Sequence, residues 1–427
     1  MDANSLHRLT KSLVDSGEAA TIEEAQQQFR RYGVRVYLEK SVADDPTQQL
    51  IALTVINLAS RSFCGNVALS GATDAVLNIG PFRGLPLSEA IRDLGLTVLP
   101  EPKVEGWPQI LVGPSSAHPS RVTISPWAKG WQYGVGRCLQ EKAAFFAPAA
   151  VAAAGLAVSE AFSVLRRDNP YAGNRDVSMS LWSVGDKAGH LAVAPDLTAS
   201  IQLPDLWIVG LGHLGQAYSW TLGFMDAVRG RLVNLQDVDY ASPSTLSTSI
   251  LTRDADIGER KVRTVARWLE RCGTRTALVE RRFDEHQRVG ASEPSVALFG
   301  VDNAAARRAL EGAGFRFIVD AGLGSGYQDF RGIRVRTFPG PAKAADLWVS
   351  QADELSTLTA PAYRALLAAG ADACGVTQLA TRAVGAPFVG SVAAAYVLAE
   401  ICRAQVQGQR NAVVDMNLKA PLALERA

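Results

Sequence analysis

The chain has 427 residues, 48% of them hydrophobic and 20% charged. That length argues for two or three domains, and the apolar share supports sizeable cores and excludes a disordered chain. Lys plus Arg total 43 against 42 Asp plus Glu, a net charge of +1. The balance removes the main electrostatic argument for nonspecific binding to nucleic acid or a membrane surface.

Cysteines stand at 64, 138, 272, 374 and 402, with no C-x-x-C among them. Their spacing fits a reducing compartment and excludes the usual zinc clip. The opening MDANSLHRLTKSLVDSGEAA is polar and has no signal-peptide core, so a cytoplasmic protein is expected. Two apolar runs, Ala143–Val158 and Ala383–Ala399, are Ala-rich and broken by Pro or Gly. Both fall short of the ~20 residues a bilayer requires, so buried core helices are expected.

Ile22–Arg31 and Gln48–Ser60 have helical character, with Asp45 and Pro46 as a start signal for the second. Short apolar segments alternate with Gly and Pro turns from Cys64 to about Pro100, and Ile110–Gly113 and Val122–Ser125 read as strands. Ala143–Arg167 is a helix starting at Pro148 or later, followed by a turn-rich stretch and a strand at Val177–Trp182. The character changes near residue 200. Strand Leu206–Gly210, a glycine turn and a helix lead to strand Leu232–Asp237 and helix Glu259–Arg271. Strand Val296–Val301, helix Ala304–Gly312 and strand Phe315–Asp320 follow. This alternation predicts an α/β fold with a mostly parallel sheet.

The stretch from Pro148 to Arg167 echoes Pro387 to Arg403, with Glu160 and Glu400 in matching places and a strand-like segment after each. A duplicated domain, packed helix against helix, would explain the echo. Chance similarity of Ala-rich helices is the bland alternative.

Gly210-Leu-Gly212-His-Leu-Gly215 directly follows the strand LWIV and opens a helix. Such glycines permit a tight turn and close backbone approach to phosphate at a helix N-terminus. Asp237 and Asp239 end the next strand, where an acid meets ribose hydroxyls; a dehydrogenase puts one there too. Lys261 begins a predicted helix, within reach of polyphosphate. Asp302 and Asn303 end a further strand and can hold Mg²⁺ through oxygen. Together these make an ATP–magnesium site, and a hydride-transfer enzyme needs neither the lysine nor the metal.

The ordered set resembles the ThiF and E1-like adenylating enzymes that activate ubiquitin-like proteins. It runs from about Asp205 to Leu418: the glycine loop, D-x-D, the loop Ser242–Leu251, D-x-x-I-G-x-x-K, the D-N pair with Arg307 behind it, VDAGLGSG at 319–326 and the Gly-rich final helix. The resemblance implies a Rossmann-like adenylation domain over 199–427, with a crossover loop near 340–386. It implies Asp237 on ribose, Lys261 on the phosphates and Asp302 on Mg²⁺. The family's N-x-x-R after D-x-D is replaced here by Thr245 and Thr248. Arg253 is the expected substitute, with Arg61 a weaker one.

Cys374, in Ala-Asp-Ala-Cys-Gly-Val, is the one cysteine in the family's crossover position, which implies a thioester role. The bland alternative is a small buried residue. Cys272 and Cys402 read as structural, and Cys64 and Cys138 lack any acidic or phosphate context. His213 fits the turn of the glycine loop, while His7, His118, His190 and His286 form no ligand spacing. Residues 1–198 lack the glycine loop and the D-N pair and are expected to be an inactive adenylation-like domain, a pseudo-dimer partner within one chain.

The resemblance extends to the E1-like proteins of bacterial antiphage conjugation operons. It implies a ubiquitin-like protein whose tail is adenylated and a separate E2-like carrier as partners, with homo-oligomerisation open. Alternatives are a sulfur-carrier adenylyltransferase of the thiamin or molybdopterin type, a NAD-binding oxidoreductase, and an inactive scaffold for the ubiquitin-like protein.

Overall fold

The computed structural model describes all residues except 1–5, 101–105, 115–121, 139–142, 186–193, 196–200, 349–358, 408–409 and 427, and the side chain of Cys374 also lies outside the described part. Two short helices, α1 (Lys11–Asp15) and α2 (Ile22–Phe29), precede the first sheet. Then come β1 (Val34–Leu38), α3 (Pro46–Ser62), β2 (Val67–Gly71), α4 (Leu87–Asp93), β3 (Gln109–Val112), β4 (Thr123–Ile124), β5 (Pro126–Lys129), β6 (Gln132–Val135), α5 (Ala147–Arg166) and β7 (Val177–Ser180). The order β2-β1-β3-β4 is wholly parallel, and β5-β6-β7 is antiparallel.

The second half comprises β8 (Leu206–Val209), α6 (His213–Leu222), β9 (Leu232–Gln236), α7 (Lys261–Arg271), β10 (Arg275–Val279), β11 (Val296–Phe299), α8 (Ala304–Ala309), β12 (Phe317–Leu323) and β13 (Gly332–Phe338). Helices α9 (Ala344–Leu347), α10 (Pro361–Ala368), α11 (Ala373–Thr381) and α12 (Pro387–Gln407) lead to β14 (Val413–Asn417) and β15 (Glu425–Arg426). One sheet runs β10-β9-β8-β11-β12-β13-β14-β15, parallel through β12 and antiparallel beyond. The expected α/β architecture with a mostly parallel sheet is what the chain adopts.

The strand sequence β2-β1-β3-β4, continued by β5-β6-β7, repeats the order β9-β8-β11-β12-β13-β14, with Ser125 alone separating β4 from β5. In each half the connection between the last two strands of that repeated order, β6 to β7 and β13 to β14, carries a long apolar helix, α5 or α12. Both are long and apolar enough to cross a membrane, yet both are buried within the protein.

Helices α5 and α12 pack against each other at backbone distance. A Cβ on Gly155 would lie 2.7 Å from Val392 Cγ2 and 2.8 Å from the Phe388 carbonyl oxygen. Buried Glu160 accepts from Gly173 N at 2.9 Å and Arg175 Nη2 at 2.5 Å. Glu400 accepts from Asn411 N at 2.9 Å and Asn411 Nδ2 at 2.6 Å. Each carboxylate thus holds the segment that enters the next strand, with hydrogen bonds offsetting the cost of its burial. The halves also meet where Tyr133 and Tyr396 pair their hydroxyls at 2.9 Å and Trp220 Nε1 donates to Thr54 Oγ1 at 3.1 Å.

Candidate functional site

In the larger sheet, strand order reverses between β8 and β11, which places a crevice at their carboxyl ends. The three loops leaving β8, β9 and β11 build its walls. Gly210 has φ +85°, and a Cβ there would lie 2.9 Å from the Gly300 carbonyl. A Cβ on Gly215 would lie 2.0 Å from the Gly210 oxygen, so this turn admits no side chain. Gly212 differs: beyond its chain neighbours, the nearest atom to its Cβ position is Lys261 Nζ, at 4.0 Å. The space in front of Gly212 is open, with an ammonium at its far side.

Gly212 is also the N-cap of α6, and no side chain caps that helix. Its first N–H groups and the positive end of its dipole are left for an anion. Lys261 Nζ, on a side chain only 14% exposed, donates to the exposed Asp239 Oδ2 at 3.0 Å. Asp237 Oδ2 accepts from Leu211 N at 2.6 Å, inside the glycine loop, and its Oδ1 accepts from Asp239 N at 2.7 Å. Gly210, Gly212, Gly215, Asp237, Asp239 and Lys261 therefore form one cluster.

Asp302 follows β11, and its side chain is exposed. Asn303, expected beside it as an oxygen donor to metal, is instead the N-cap of α8: its Oδ1 accepts from Ala305 N at 2.7 Å and Ala306 N at 3.3 Å. The helix start competes for that oxygen and wins. No group of three or more His, Cys, Asp or Glu among the described residues could hold a metal ion by itself. The donor set fits Mg²⁺ only as one carboxylate completed by phosphate oxygens, an ordinary mode for that ion.

The two arginines expected near the phosphates are engaged elsewhere. Arg253 Nη1 donates to the Asp93 carbonyl of α4 at 3.1 Å, and its Nε stands 3.7 Å from Asp256. Arg61 is buried in α3, where Nη1 donates to the carbonyls of Leu246 at 3.0 Å and Thr252 at 2.8 Å, and Nε to Asn57 Oδ1 at 2.7 Å. Burial lowers its pKa to about 10. Arg61 thus fastens the loop after D-x-D from beneath. Thr245 and Thr248 serve that loop's own turn: Thr245 Oγ1 accepts from Ser242 N at 3.0 Å, and Thr248 N donates to the Thr245 carbonyl.

Arg8 was not foreseen from sequence. Its Nη1 donates to the Ala383 carbonyl at 3.0 Å and its backbone N to Ser247 Oγ at 3.2 Å. Burial and the charge of Arg382 lower its pKa to about 10, while the charge of Asp302 opposes the shift. Arg382 and Asp302 accordingly both lie within electrostatic reach of Arg8, and Arg382 Nη1 donates to Ser244 Oγ at 3.2 Å.

His213, the first residue of α6, lies with Nε2 buried and without a hydrogen-bond partner. Burial lowers its pKa to about 4, so the ring is neutral near pH 7. Arg307 is turned back into the core, where Nε stands 3.2 Å from buried Asp320 and Nη2 donates to the Ala321 carbonyl at 2.8 Å. Desolvation raises the Asp320 pKa to about 6.

Cys374 occupies the second position of helix α11, so the expected small-residue linker is itself helical, capped by Asp372 on Gly375 N at 2.7 Å. Cys272 and Cys402 are buried, and burial pushes both thiols up to about 12, as suits structural residues.

Among the described residues the first half lacks this cluster. By strand register the position of Asp237 is taken by Ala72, and Glu39-Lys40-Ser41 follows β1 where Gly210-Leu211-Gly212 follows β8. The helix start is filled as well: Asp45 caps α3 through Thr47 N at 2.8 Å and Gln48 N at 3.2 Å. Three residues beyond Val112 the sequence has Ser115, where three beyond Phe299 it has Asp302; Ser115 is outside the described residues.

Comparison with known proteins bears on both halves. The BilD N-terminal domain matches residues 33–181 and the BilD C-terminal domain residues 203–408. A curated relative, the bacterial E1-like protein BilD of Collimonas sp. (strain OK412), is 39% identical over 418 residues, which is 94% of this chain and 89% of the relative. Among solved structures, E. coli MccB is 11% identical, covers 71% of this chain and 91% of its own, and has a TM-score of 0.38. MccB with MccA-N7isoASN is 14% identical, covers 52% of this chain and 64% of its own, and has a TM-score of 0.35. Scores that low do not assign a fold. The identity to the curated relative is decisive: the chain belongs to the BilD family of bacterial E1-like proteins.

Proposed function

We propose that the second half binds ATP–Mg²⁺ and adenylates the C-terminal carboxylate of a ubiquitin-like protein. The observation that carries this reading is the uncapped start of α6, open at Gly212 and faced by Lys261. A nicotinamide dinucleotide brings a pyrophosphate to such a helix start, where the loop N–H groups meet it; an added ammonium favours the greater charge of a triphosphate.

In the reaction a carboxylate oxygen of the partner attacks the α-phosphorus. The bond from that phosphorus to the oxygen shared with the β-phosphate breaks, and pyrophosphate leaves with the electron pair. Bound Mg²⁺ supplies neutralising charge to the phosphate oxygens. Asp302 holds that ion, Lys261 leaves Asp239 for the phosphates, and Asp237, already fastened to Leu211 N, stands where ribose hydroxyls arrive. Arg8 and Arg382 provide the positive charge that Thr245 and Thr248 cannot. Catalysis is then positioning and charge compensation, with no side chain forming a bond in this step.

Cys374 takes the acyl group next: its thiolate attacks the acyl carbonyl, AMP leaves, and a thioester remains for an E2-like carrier. The second position of a helix is one whose dipole favours an anion. The first half serves as an inactive copy of the adenylation domain. Its strand order supports this, and Asp45 and Ala72 explain the loss of nucleotide binding. Antiviral conjugation in the cytoplasm is the setting the family resemblance implies.

The test is exchange of labelled pyrophosphate into ATP by the purified chain with its ubiquitin-like partner. Exchange should require the partner and vanish in Asp302→Ala; full activity in that variant would remove the metal assignment.

A further inference from the structure

The fourth position of the glycine loop carries an imidazole that a phosphate cradle does not need. The His213 ring lies against the start of α12. The Cβ position of Gly390 lies 2.5 Å from Nε2 and 2.6 Å from Cδ2, and that of Gly385 lies 3.9 Å from Nδ1. The backbone of Ala386 and Pro387 also lies against the ring. Two glycines thus leave the room that the ring fills, and a methyl at 390 would force it to move.

The segment touched by His213 is the exit of the crossover. It is fastened at neighbouring points as well: Val384 N donates to the Ser325 carbonyl at 2.9 Å, and the Ala383 carbonyl accepts from Arg8. Eleven residues before Gly385 stands Cys374, on α11. A ring rooted at the start of α6 and lodged against that exit makes the glycine loop and the crossover one mechanical unit.

We propose that His213 is a positioning residue that couples the state of the nucleotide loop to the placement of the crossover, and so governs acyl transfer to Cys374 more than adenylation. The inference rests on the adenylation reading above. When phosphates fill the start of α6 they fix the loop, and the ring carries that constraint to Gly385 and Gly390. The α-phosphate of the adenylate stays there when pyrophosphate departs, so the ring goes on holding the crossover exit in the placement from which α11 presents Cys374 to the adenylate.

The decisive variant is Gly390→Ala, on α12 and outside the nucleotide site. Pyrophosphate exchange should stay within about twofold of wild type, while single-turnover thioester formation falls about tenfold, within the usual span of coupling between sites. His213→Ala should show a similar fall in the ratio of transfer to exchange, and His213→Gln, which keeps a planar polar group of similar size, should largely restore it. As a second readout, Mg–ATP should slow amide hydrogen exchange over residues 382–390 in wild type and not in His213→Ala. Equal losses of exchange and transfer, no loss of either, or equal protection in wild type and variant would overturn the coupling alone. Failure of the wild-type chain to exchange pyrophosphate with its partner present would overturn the adenylation reading, and the coupling with it.

Discussion

Gly212 and Gly215 stand three residues apart in one loop, and the structure assigns them opposite sensitivities. A methyl on Gly215 would lie 2.0 Å from the Gly210 oxygen, a backbone atom that cannot yield without opening the turn. Gly215→Ala should therefore destabilise the protein by about 1–3 kcal/mol or more, the scale of overpacking at a rigid site. A methyl on Gly212 meets only the tip of Lys261, at 4.0 Å. Gly212→Ala should stay within about 1 kcal/mol of wild-type stability. The same methyl occupies the space where phosphate oxygens would approach the first N–H groups of α6. Loss of one or two charge-assisted hydrogen bonds at about 1.5–3 kcal/mol each weakens ATP binding by at least about tenfold. Thermal or denaturant unfolding reads the first quantity and calorimetric titration with Mg–ATP the second. Undiminished ATP affinity in a folded Gly212→Ala protein would show that phosphate does not lie on this loop.

Arg8→Ala should raise the KM for ATP in the exchange assay by about tenfold, the worth of one charge-assisted contact, without lowering the melting temperature appreciably; an unchanged KM would remove Arg8 from the site. Cys374→Ser should continue to exchange pyrophosphate while forming no adduct that a thiol reductant cleaves, as judged on non-reducing gels. Gly155→Val should weaken the packing of α5 on α12 and lower stability by about 1–3 kcal/mol, because the Val392 side chain and the Phe388 carbonyl already occupy that space.

Acid should destabilise the fold in a defined window. Burial lowers His7 and His213 to about 4, so their contribution is complete above the unfolded value of 6.5 and is lost as pH falls toward 4. Between pH 7 and 5 each costs about 2 kcal/mol by linkage. Asp320, raised to about 6, acts in the opposite sense and returns about 1 kcal/mol over the same interval. Glu400, also raised by burial, opposes the loss in the same sense. A net loss of about 2 kcal/mol or less in denaturant melts is expected, and a gain in stability over that interval would contradict the buried, neutral state of the two rings.

The contiguous parts of the site were legible in the sequence because each is written in a few adjacent residues. The glycine loop, Asp237, Lys261 and Asp302 need only a strand before them and a helix or loop after. Long-range partners carried no such signal. Arg8 is one cation in a polar segment, and only the fold brings it near Asp302 and Ala383. Arg61 and Arg253 are ordinary arginines whose commitments, to Leu246 and Thr252 in one case and to Asp93 in the other, depend on the packing of the two halves. Asn303 could have been foreseen: an Asn directly before Ala-Ala-Ala-Arg is a strong helix cap. Strand β1 was missed because Arg35 and Tyr37 dilute its hydrophobicity, although Val34, Val36 and Leu38 alternate on one buried face. Strand β13 was missed for a similar reason, with Arg334 and Arg336 alternating with the buried Ile333, Val335 and Thr337.

The chemistry at the heart of the account can be read directly from the partner's tail. After incubation of the chain with Mg–ATP and its ubiquitin-like protein, rapid quenching and intact-mass spectrometry should find AMP joined to the partner's C-terminal carboxylate and pyrophosphate in solution. ATP split to ADP and phosphate, or an unmodified tail at every time point, would contradict it.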